Sequence, residues 1–199
     1  MLNDLSSPLA LLRSRRSARP RDLATPGPDA AELREILTLA MRVPDHGKLH
    51  PWRFVHVPRE RRADFAALLD RAYRVDNPAP GRLELEANER FAHQAPELVV
   101  VLSSPAQGHK IPVWEQELSC GAACMNLLTA AHAMGFAAGW VTGWAAYSDI
   151  VRTAFGGGQG DRIAGFIFLG TPGAELEERV RPEYDEVVRD WEGASAETA

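Results

Sequence analysis

Hydrophobic and polar positions follow the helical period in several segments, and the clearest of these covers residues 28–42. Apolar residues recur there every three or four positions, so they would form one buried face of a helix. Asp29 is placed to cap this helix, and Glu32 completes a capping-box pair with it. Similar spacing predicts further helices over residues 8–16, 59–74, 83–93, 113–135 and 148–156.

Strand patterns occur between these helices. The continuous apolar run "ELVVVLSS" at 97–104 is typical of a central strand that is buried on both faces. Residues 52–57 and 162–172 are also predicted to be strands, and residues 137–143 a strand or an extended turn. Because helices outnumber the strands and separate them, the order indicates an α+β or α/β fold with a central sheet.

Residues 113–135 predict an unusually long helix whose middle, "SCGAAC", is small on almost every face. Another helix can therefore approach it closely, and both internal packing and a dimer interface remain open. No Asp, Glu, Lys or Arg occurs from Leu118 to Ser148, but polar residues and glycines within this run argue against a membrane span. We expect a buried helix followed by a buried strand in a soluble protein.

The chain has two cysteines, Cys120 and Cys124, and they lie four positions apart in the long predicted helix. They would share one face of it. Two cysteines do not make a disulfide framework, so we interpret them as small buried residues with free thiols rather than a redox pair or a metal site. Free thiols favour a cytoplasmic location.

The composition is that of a globular protein, with 45% apolar and 25% charged residues in a chain of 199, a length that suits one domain. The net charge of −5 makes nucleic acid or an anionic membrane an unexpected partner. Residues 13–21, "RSRRSARPR", differ from the rest because they carry five arginines and no acidic residue. This patch suggests one local anion, with nucleic-acid binding as a distant alternative.

Two polar stretches carry candidate chemistry. "SRRS" at 14–17 offers two guanidinium groups and two hydroxyls, which suit a phosphate monoester, although a solvated basic face is the alternative. "DHGKLH" at 45–50 contains His46 and His50, and two histidines at this spacing can bind a metal on a helix. A glycine between them and a proline after them disfavour a helix, and no third ligand is evident, so we expect no metal.

Two glycine-containing segments, "GWVTG" at 139–143 and "FLGTP" at 168–172, coincide with the ends of predicted strands. Glycine permits close approach of the backbone to a flat ligand, and a tight turn is an equally good interpretation. The chain has no GxGxxG after a strand, no P-loop and no GxSxG. The sequence therefore does not support a Rossmann dinucleotide site, a P-loop nucleotide site or a serine hydrolase.

The order of these motifs is more informative than any one of them. "RRS" near the start is followed by a helix and then, in order, by "VPDHGKLHPWRF", "HKIPVWEQE", "GFAAGWVTG" and "GFIFLGTP". This order resembles the FMN-dependent nitroreductase family, from about residue 11 to residue 172.

The resemblance implies a single domain over residues 1–199 with an α+β fold, in which helices flank a central mixed or antiparallel sheet. It implies a homodimer with the long central helix at the interface and two FMN bound there. The implied activity is transfer of a hydride from NAD(P)H through flavin N5 to nitroaromatic, quinone or similar acceptors, in ping-pong turnover. The charged tail, residues 174–199, lies beyond the resemblance and would wrap another part of the protein or fray.

The resemblance also assigns cofactor-binding residues. Arg15, Arg16 and Ser17 match the motif that holds the FMN phosphate and ribityl chain, and Arg42 and His46 match positions that contact FMN. The segment that closes over the flavin corresponds to Trp140, Val141 and Thr142, and the proposed nicotinamide-nucleotide region to residues 130–135. FMN carries the hydride chemistry, so no catalytic side chain is expected.

One position departs from the family pattern, because Val141 stands where relatives commonly have Arg. One positive contact to the cofactor would then be missing, and Arg179 or Arg181 in the tail would be candidates to replace it. Two alternatives stay open for this reason. The protein would be a flavoprotein oxidase or dehydrogenase of a specific metabolite, or a flavin-binding protein without turnover.

Overall fold

A computed structural model describes residues 2–193, and its centre is a five-stranded antiparallel sheet. The strands are β1 (Leu23–Ala24), β2 (Trp52–His56), β3 (Glu97–Ser103), β4 (Ala137–Val141) and β5 (Arg162–Pro172). β5 pairs with β3, β4 and β1, and β2 pairs with the other edge of β3. The expectation of an α+β fold with a central sheet is confirmed, and every strand pair in the described chain is antiparallel.

The helices lie where the periodicity predicts them, to within a few residues. They are α1 (Pro8–Ser14), α2 (Ala30–Ala40), α3 (Arg62–Asp76), α4 (Arg82–Ala92), α5 (Val113–Ala133), α6 (Asp149–Ala154) and α7 (Tyr184–Val187). The predicted capping box of α2 is present, since Asp29 accepts hydrogen bonds from N–H groups of the first turn and Glu32 accepts from the N–H of Asp29. Sequence patterning did not predict β1 or α7, which are too short to show a period.

Two hydrophobic cores cover the two faces of the sheet. α3, α4 and α6 pack on one face, and α2 and α5 pack on the other. The side chains of β3 alternate between the cores: Val100 belongs to the first, and Val99 and Val101 to the second. This double burial explains why the strand is apolar at every position instead of alternating with polar residues.

The long helix α5 has a buried face and an apolar exposed face. Cys120 and Cys124 are buried as free thiols, in agreement with their interpretation as packing residues. Trp114, Leu118 and Met125 are exposed on the opposite side at helical spacing. Among the described residues no helix is long and apolar enough to cross a membrane.

The charged tail is described up to residue 193. Its first part returns to the body of the protein, where Leu176 packs against a core and Glu177 and Glu178 pair with Arg19 and Arg16. From Val180 onwards its apolar side chains are exposed. The prediction that the tail wraps another part of the protein therefore describes its beginning, whereas residues 194–199 lie outside the described residues.

Candidate functional site

The arginine-rich segment that follows α1 is fixed by hydrogen bonds to its backbone. The N–H of Arg16 donates to Asn3 Oδ1 at 2.9 Å, and the N–H of Ala18 donates to the carbonyl oxygen of Ala138 at 3.1 Å. The carbonyl oxygen of Arg16 lies 3.0 Å from Nε2 of the buried His132. These contacts hold the backbone of Arg15 to Ser17 in one orientation.

A glycine in β4 allows this segment to approach the sheet. A Cβ atom on Gly139 would lie 2.4 Å from the carbonyl oxygen of Ala18, which is closer than non-bonded atoms can come. Residue 139 must therefore be glycine for the segment to lie where it does. The close backbone approach at Gly139 is to the arginine segment of the same chain, and the approach to a flat ligand that we considered for "GWVTG" stays a prediction.

Arg15 and Arg16 are neighbours but have different partners. Arg16 donates through Nε and Nη2 to both carboxylate oxygens of Glu178, at 2.5 Å each. These hydrogen bonds, together with the backbone N–H of Arg179, lower the pKa of Glu178 to about 2. Arg16 thus holds the tail, and its charge is compensated within the chain.

Arg15 is half-buried and its guanidinium forms no ion pair with any described residue; the one hydrogen bond of this guanidinium within the described chain is a 3.4 Å contact to Ser17 Oγ. Burial lowers the pKa of Arg15, and the charges of Arg16 and Arg181 lower it further. Arg181 therefore adds to the positive charge around Arg15. A partly buried, uncompensated guanidinium next to a hydroxyl is suited to bind an anion.

The second polar stretch folds into a tight loop that contains a short 3-10 helix, His46–Lys48. The carboxylate of Asp45 accepts hydrogen bonds from the N–H groups of Leu49 and His50, both at 3.0 Å. Gly47 has a φ of 76°, in the left-handed region where side chains are unfavourable. Part of this polar stretch therefore builds the loop itself, and Asp45 has a structural role.

Side chains of α5 contact this loop and the end of α2. His46 Nδ1 lies 2.7 Å from an oxygen of Glu115, in the first turn of α5. Asn126, three turns further on, donates to the carbonyl oxygens of Leu39 and Arg42 at 2.6 and 3.4 Å. The side chains of Arg42 and His46 are both exposed. They are held at the surface near the outer face of α5.

The predicted FMN ligands consequently fall into two groups within one chain. His46 contacts α5 at Glu115, whereas Arg16 contacts α5 at His132. At a rise of 1.5 Å per residue, these two contact points are about 25 Å apart along the helix. The structure does not bring the two groups together within a single chain.

The segment Trp140–Thr142 divides between the two faces of the sheet. Trp140 Nε1 donates to the carbonyl oxygen of Ala164 at 3.0 Å, while Val141 packs against the core on the α3 side. Thr142 is exposed just after β4. Of the three residues, Thr142 lines a cavity on the side of the sheet that α3 and α4 cover.

This cavity has a volume of about 320 Å³ and is bordered by Thr142, Gly143, Trp144, Tyr73 and Phe91. Tyr73, Phe91 and Trp144 give it aromatic walls on part of its surface, Glu84 adds a carboxyl-bearing residue, and the rings of Tyr73 and Trp144 are in edge-to-face contact with centroids 4.8 Å apart. A flat ligand ring fits such walls.

Asn88 contributes an unsatisfied polar atom to the same cavity. Its residue is only 5% exposed, and its Oδ1 accepts a hydrogen bond from Trp144 Nε1 at 3.0 Å. Its Nδ2 has no hydrogen-bond partner among the described residues. Sequence reasoning missed Asn88, although an asparagine between Leu85 and Ala92 on the apolar stripe of a helix was the available signal.

Comparisons with known proteins agree with this picture. The sequence profile of the Nitroreductase family matches residues 12–171. The "Putative NAD(P)H nitroreductase YdjA" of Escherichia coli K12 is 39% identical over 164 residues, which cover 82% of this chain and 87% of that protein.

Solved structures share the fold. A nitroreductase-like family protein from Bacillus cereus has a TM-score of 0.79 at 20% identity and covers 94% of this chain and 97% of its own. A "putative nitroreductase in complex with FMN" from Desulfovibrio desulfuricans has a TM-score of 0.70 at 20% identity, over 93% and 98% of the two chains. Together with the profile match over most of the sequence, these likenesses show that the chain belongs to the nitroreductase family of oxidoreductases.

Proposed function

We propose that the protein is an FMN-dependent oxidoreductase that transfers a hydride from NAD(P)H, through flavin N5, to nitroaromatic, quinone or similar acceptors by a ping-pong mechanism. The observation that carries this proposal is the half-buried Arg15 guanidinium, which forms no ion pair with any described residue and has the hydroxyl of Ser17 beside it. The similar Escherichia coli protein is named as an NAD(P)H nitroreductase, which supports the co-substrate. The similar structure from Desulfovibrio desulfuricans is a complex with FMN, which supports the cofactor.

The residues present fit a ligand that has an anionic end and a flat polar ring. β4 leads from Gly139, next to the arginine segment, to Thr142 at the cavity. Three residues of strand span about 10 Å, so one elongated molecule can reach both places. Arg15 and Ser17 would bind the phosphate, and the free Nδ2–H of Asn88 would donate to an oxygen or nitrogen at the ring edge.

The protein side chains bind and orient the ligand in this proposal, and none has to react. Trp144 holds the amide of Asn88 through its Oδ1, which fixes the orientation of Nδ2 beside the cavity. The aromatic walls exclude water from a ring that they enclose. The positive charges of Arg15 and Arg181 favour the anionic phosphate end of such a ligand.

We further propose that the active unit is a homodimer in which each site takes residues from both chains. Two observations support this arrangement. His46 is about 25 Å of helix away from the arginine segment in the same chain, so one ligand cannot contact both without a second copy. α5 also exposes Trp114, Leu118 and Met125, while Gly121 faces open space, which suits close packing with a symmetry-related α5.

The remaining expectations are part of the same proposal. The protein acts in the cytoplasm on a small-molecule acceptor and has no nucleic-acid, membrane or metal partner. Among the described residues no group of three or more His, Cys, Asp or Glu side chains is placed to hold a metal ion.

A visible absorption spectrum of the freshly purified protein tests the cofactor, with the released flavin identified by chromatography. We expect a yellow protein with FMN near one per chain and oxidation of NADH or NADPH that depends on an added quinone or nitroaromatic. Initial rates at several fixed acceptor concentrations should give parallel double-reciprocal lines. A protein that stays colourless after addition of FMN would refute the proposal, and FMN that NAD(P)H does not reduce would favour the oxidase alternative.

A further inference from the structure

A buried histidine that none of the proposed steps uses lies behind the anion site. His132, in the last turn of α5, is 1% exposed. Its Nδ1 lies 2.6 Å from the carbonyl oxygen of Leu128, and its Nε2 lies 3.0 Å from the carbonyl oxygen of Arg16. Both partners can only accept hydrogen bonds. A neutral imidazole donates through one nitrogen, so this geometry is satisfied completely only by the doubly protonated ring.

The surroundings of His132 oppose that charge in the absence of an anion. Burial lowers the pKa of His132, the carbonyl of Leu128 raises it, the positive charge of Arg15 lowers it again, and the carbonyl of Arg16 raises it by a smaller amount. The side chain of Arg16 is turned towards Glu178, and the carboxyl group of Glu175 in the tail borders the same cavity as His132. Arg15 is thus the cation that opposes protonation, and it is also the uncompensated guanidinium of the anion site.

We propose that His132 is a proton-linked positioning residue, so that an anion bound at Arg15 and Ser17 causes His132 to take up a proton. The anion offsets the charge of Arg15, which removes the charge repulsion that adds to burial in disfavouring the imidazolium. The imidazolium then donates to the carbonyl oxygen of Arg16 and to that of Leu128 at once. This locks the peptide between Arg16 and Ser17 and with it the direction of the two anion-binding side chains.

The linkage has a definite sign. The pKa of His132 is lower without the anion than with it, so the affinity for the anion rises as the pH falls between the two values. Each unit of difference between the pKa of His132 with and without the anion corresponds to a tenfold change in the affinity for the anion. Without an anion the folded state binds this proton more weakly than the unfolded state, so the contribution of His132 makes the free protein less stable as the pH falls below its unfolded pKa of about 6.5.

A titration of the histidine ring signals by NMR tests the inference directly. The chain has six histidines, and the signal that disappears in His132→Gln identifies His132. Sulfate is a suitable first probe because its charge stays constant between about pH 5 and 8, and FMN is the second. We expect saturating sulfate or FMN to raise the pKa of His132 by about one unit or more. An unchanged pKa of His132 with bound anion would overturn the inference.

Calorimetry of FMN binding at pH 5.5 and 7.5 gives an independent measurement. The phosphate of FMN has a pKa near 6 of its own, so the quantity to compare is the difference between the wild-type protein and His132→Gln. The wild-type protein should gain about tenfold more affinity on acidification than the variant, and riboflavin, which lacks the phosphate, should show no such difference. Equal pH dependence of wild type and variant would contradict the proton linkage.

The inference rests on the proposed function only for the identity of the anion. If sulfate shifts the pKa of His132 but FMN does not bind, the cofactor assignment fails and the linkage stands. If FMN binds and the pKa of His132 does not move, the linkage fails and the cofactor assignment stands. If His132→Gln does not fold, the wild-type protein alone still decides the question. The side chain of His132 is 1% exposed, so its NMR signal can be assigned by the slow exchange of its ring N–H with solvent.

Discussion

At the scale of single residues, the environment separates side chains that the sequence presents as equivalent. Arg15 and Arg16 are adjacent, but Glu178 neutralises Arg16 while Arg15 keeps a free charge among the described residues. The sequence separation of Arg16 and Glu178 is 162 residues, so no local pattern could have distinguished the two arginines. The predicted FMN-binding role of Arg15 stays a prediction, and that of Arg16 becomes indirect in our proposal, through the tail.

Arg15→Ala should weaken FMN binding about 10- to 100-fold, because a charge-assisted hydrogen bond contributes about 1.5–3 kcal/mol. Arg59→Ala is the matched control, since Arg59 is exposed in a short 3-10 helix far along the chain. The dissociation constant of FMN, measured by quenching of flavin fluorescence, should not change in that variant. Equal dissociation constants for the two variants would contradict the assignment of Arg15 as the phosphate ligand.

Asn88→Asp tests the unpaired amide in the cavity. The variant keeps the oxygen that accepts from Trp144 Nε1 but loses the free N–H donor and adds negative charge. We expect FMN to bind at least about tenfold more weakly, since the ring loses one donor and meets a buried acid. Asn77→Asp, at an exposed helix end, should leave FMN affinity unchanged. Unaltered FMN affinity in Asn88→Asp would remove Asn88 from the site.

At the scale of secondary-structure elements, buried polar groups connect helices to the loops that carry the site. α5 contains no charged residue after Glu117, and its polar side chains hold neighbouring backbone instead. Ser119 Oγ donates to the carbonyl oxygen of Pro44 at 2.6 Å, and Asn126 and His132 contact the loop after α2 and the arginine segment. The helix therefore positions both groups of predicted ligands.

Arg62 performs a similar role for α3. Its guanidinium is buried and donates to the carbonyl oxygens of Val57, Ala92, Gln94 and Pro96. Burial lowers its pKa to about 10. Through these bonds one side chain ties the start of α3 to the end of β2 and to the connection between α4 and β3.

Arg62→Ala should lower the free energy of unfolding by about 3 kcal/mol, because it leaves several buried carbonyl groups without donors. Arg61→Ala, one position earlier, removes an exposed ion pair with Asp64 and should cost less than about 1 kcal/mol. Urea denaturation of both variants measures the difference. Similar midpoints for the two variants would show that Arg62 does not tie these elements together.

At the scale of the whole molecule, the proposed FMN site requires an assembly if His46 and the arginine segment are to contact the same ligand. The arginine segment and the loop with His46 lie near opposite ends of α5 in each chain. If two copies of α5 packed antiparallel through their exposed apolar faces, the start of each helix would lie next to the end of the helix in the partner subunit. The single domain over residues 1–199 and the homodimer are both proposals about the whole molecule.

Leu118→Glu should disrupt the dimer, because Leu118 is 54% exposed on the apolar face of α5 and a charge there would be buried by a partner. Leu83→Glu is the control: Leu83 is 66% exposed on α4, which packs on the other face of the sheet. Sedimentation analysis should give monomers for the first variant and dimers for the second, and FMN content should fall with the dimer. A dimeric Leu118→Glu variant that retains FMN would place the interface elsewhere.

Much of the fold was predictable because its signals are local. Apolar spacing and the Asp29–Glu32 capping box marked α2, and the uninterrupted apolar run marked β3 as central. The pairing of strands was not predictable in this way, since β5 joins β3, β4 and β1 from distant parts of the chain. The order of motifs indicated the family, and the comparisons confirmed it.

The sequence by itself determined the positions of helices and strands, the basic segment and the family, because each depends on neighbouring residues or on motif order. Only the tertiary structure decided which polar groups are already satisfied. It pairs Asp45 with its own loop, Arg16 with Glu178 and Trp144 with Asn88. Among the described residues it leaves the charge of Arg15 without an ion-pair partner and Asn88 Nδ2 without a hydrogen-bond acceptor. A free charge or donor is defined by the absence of a partner in space, and contacts between residues far apart in the chain decide that absence.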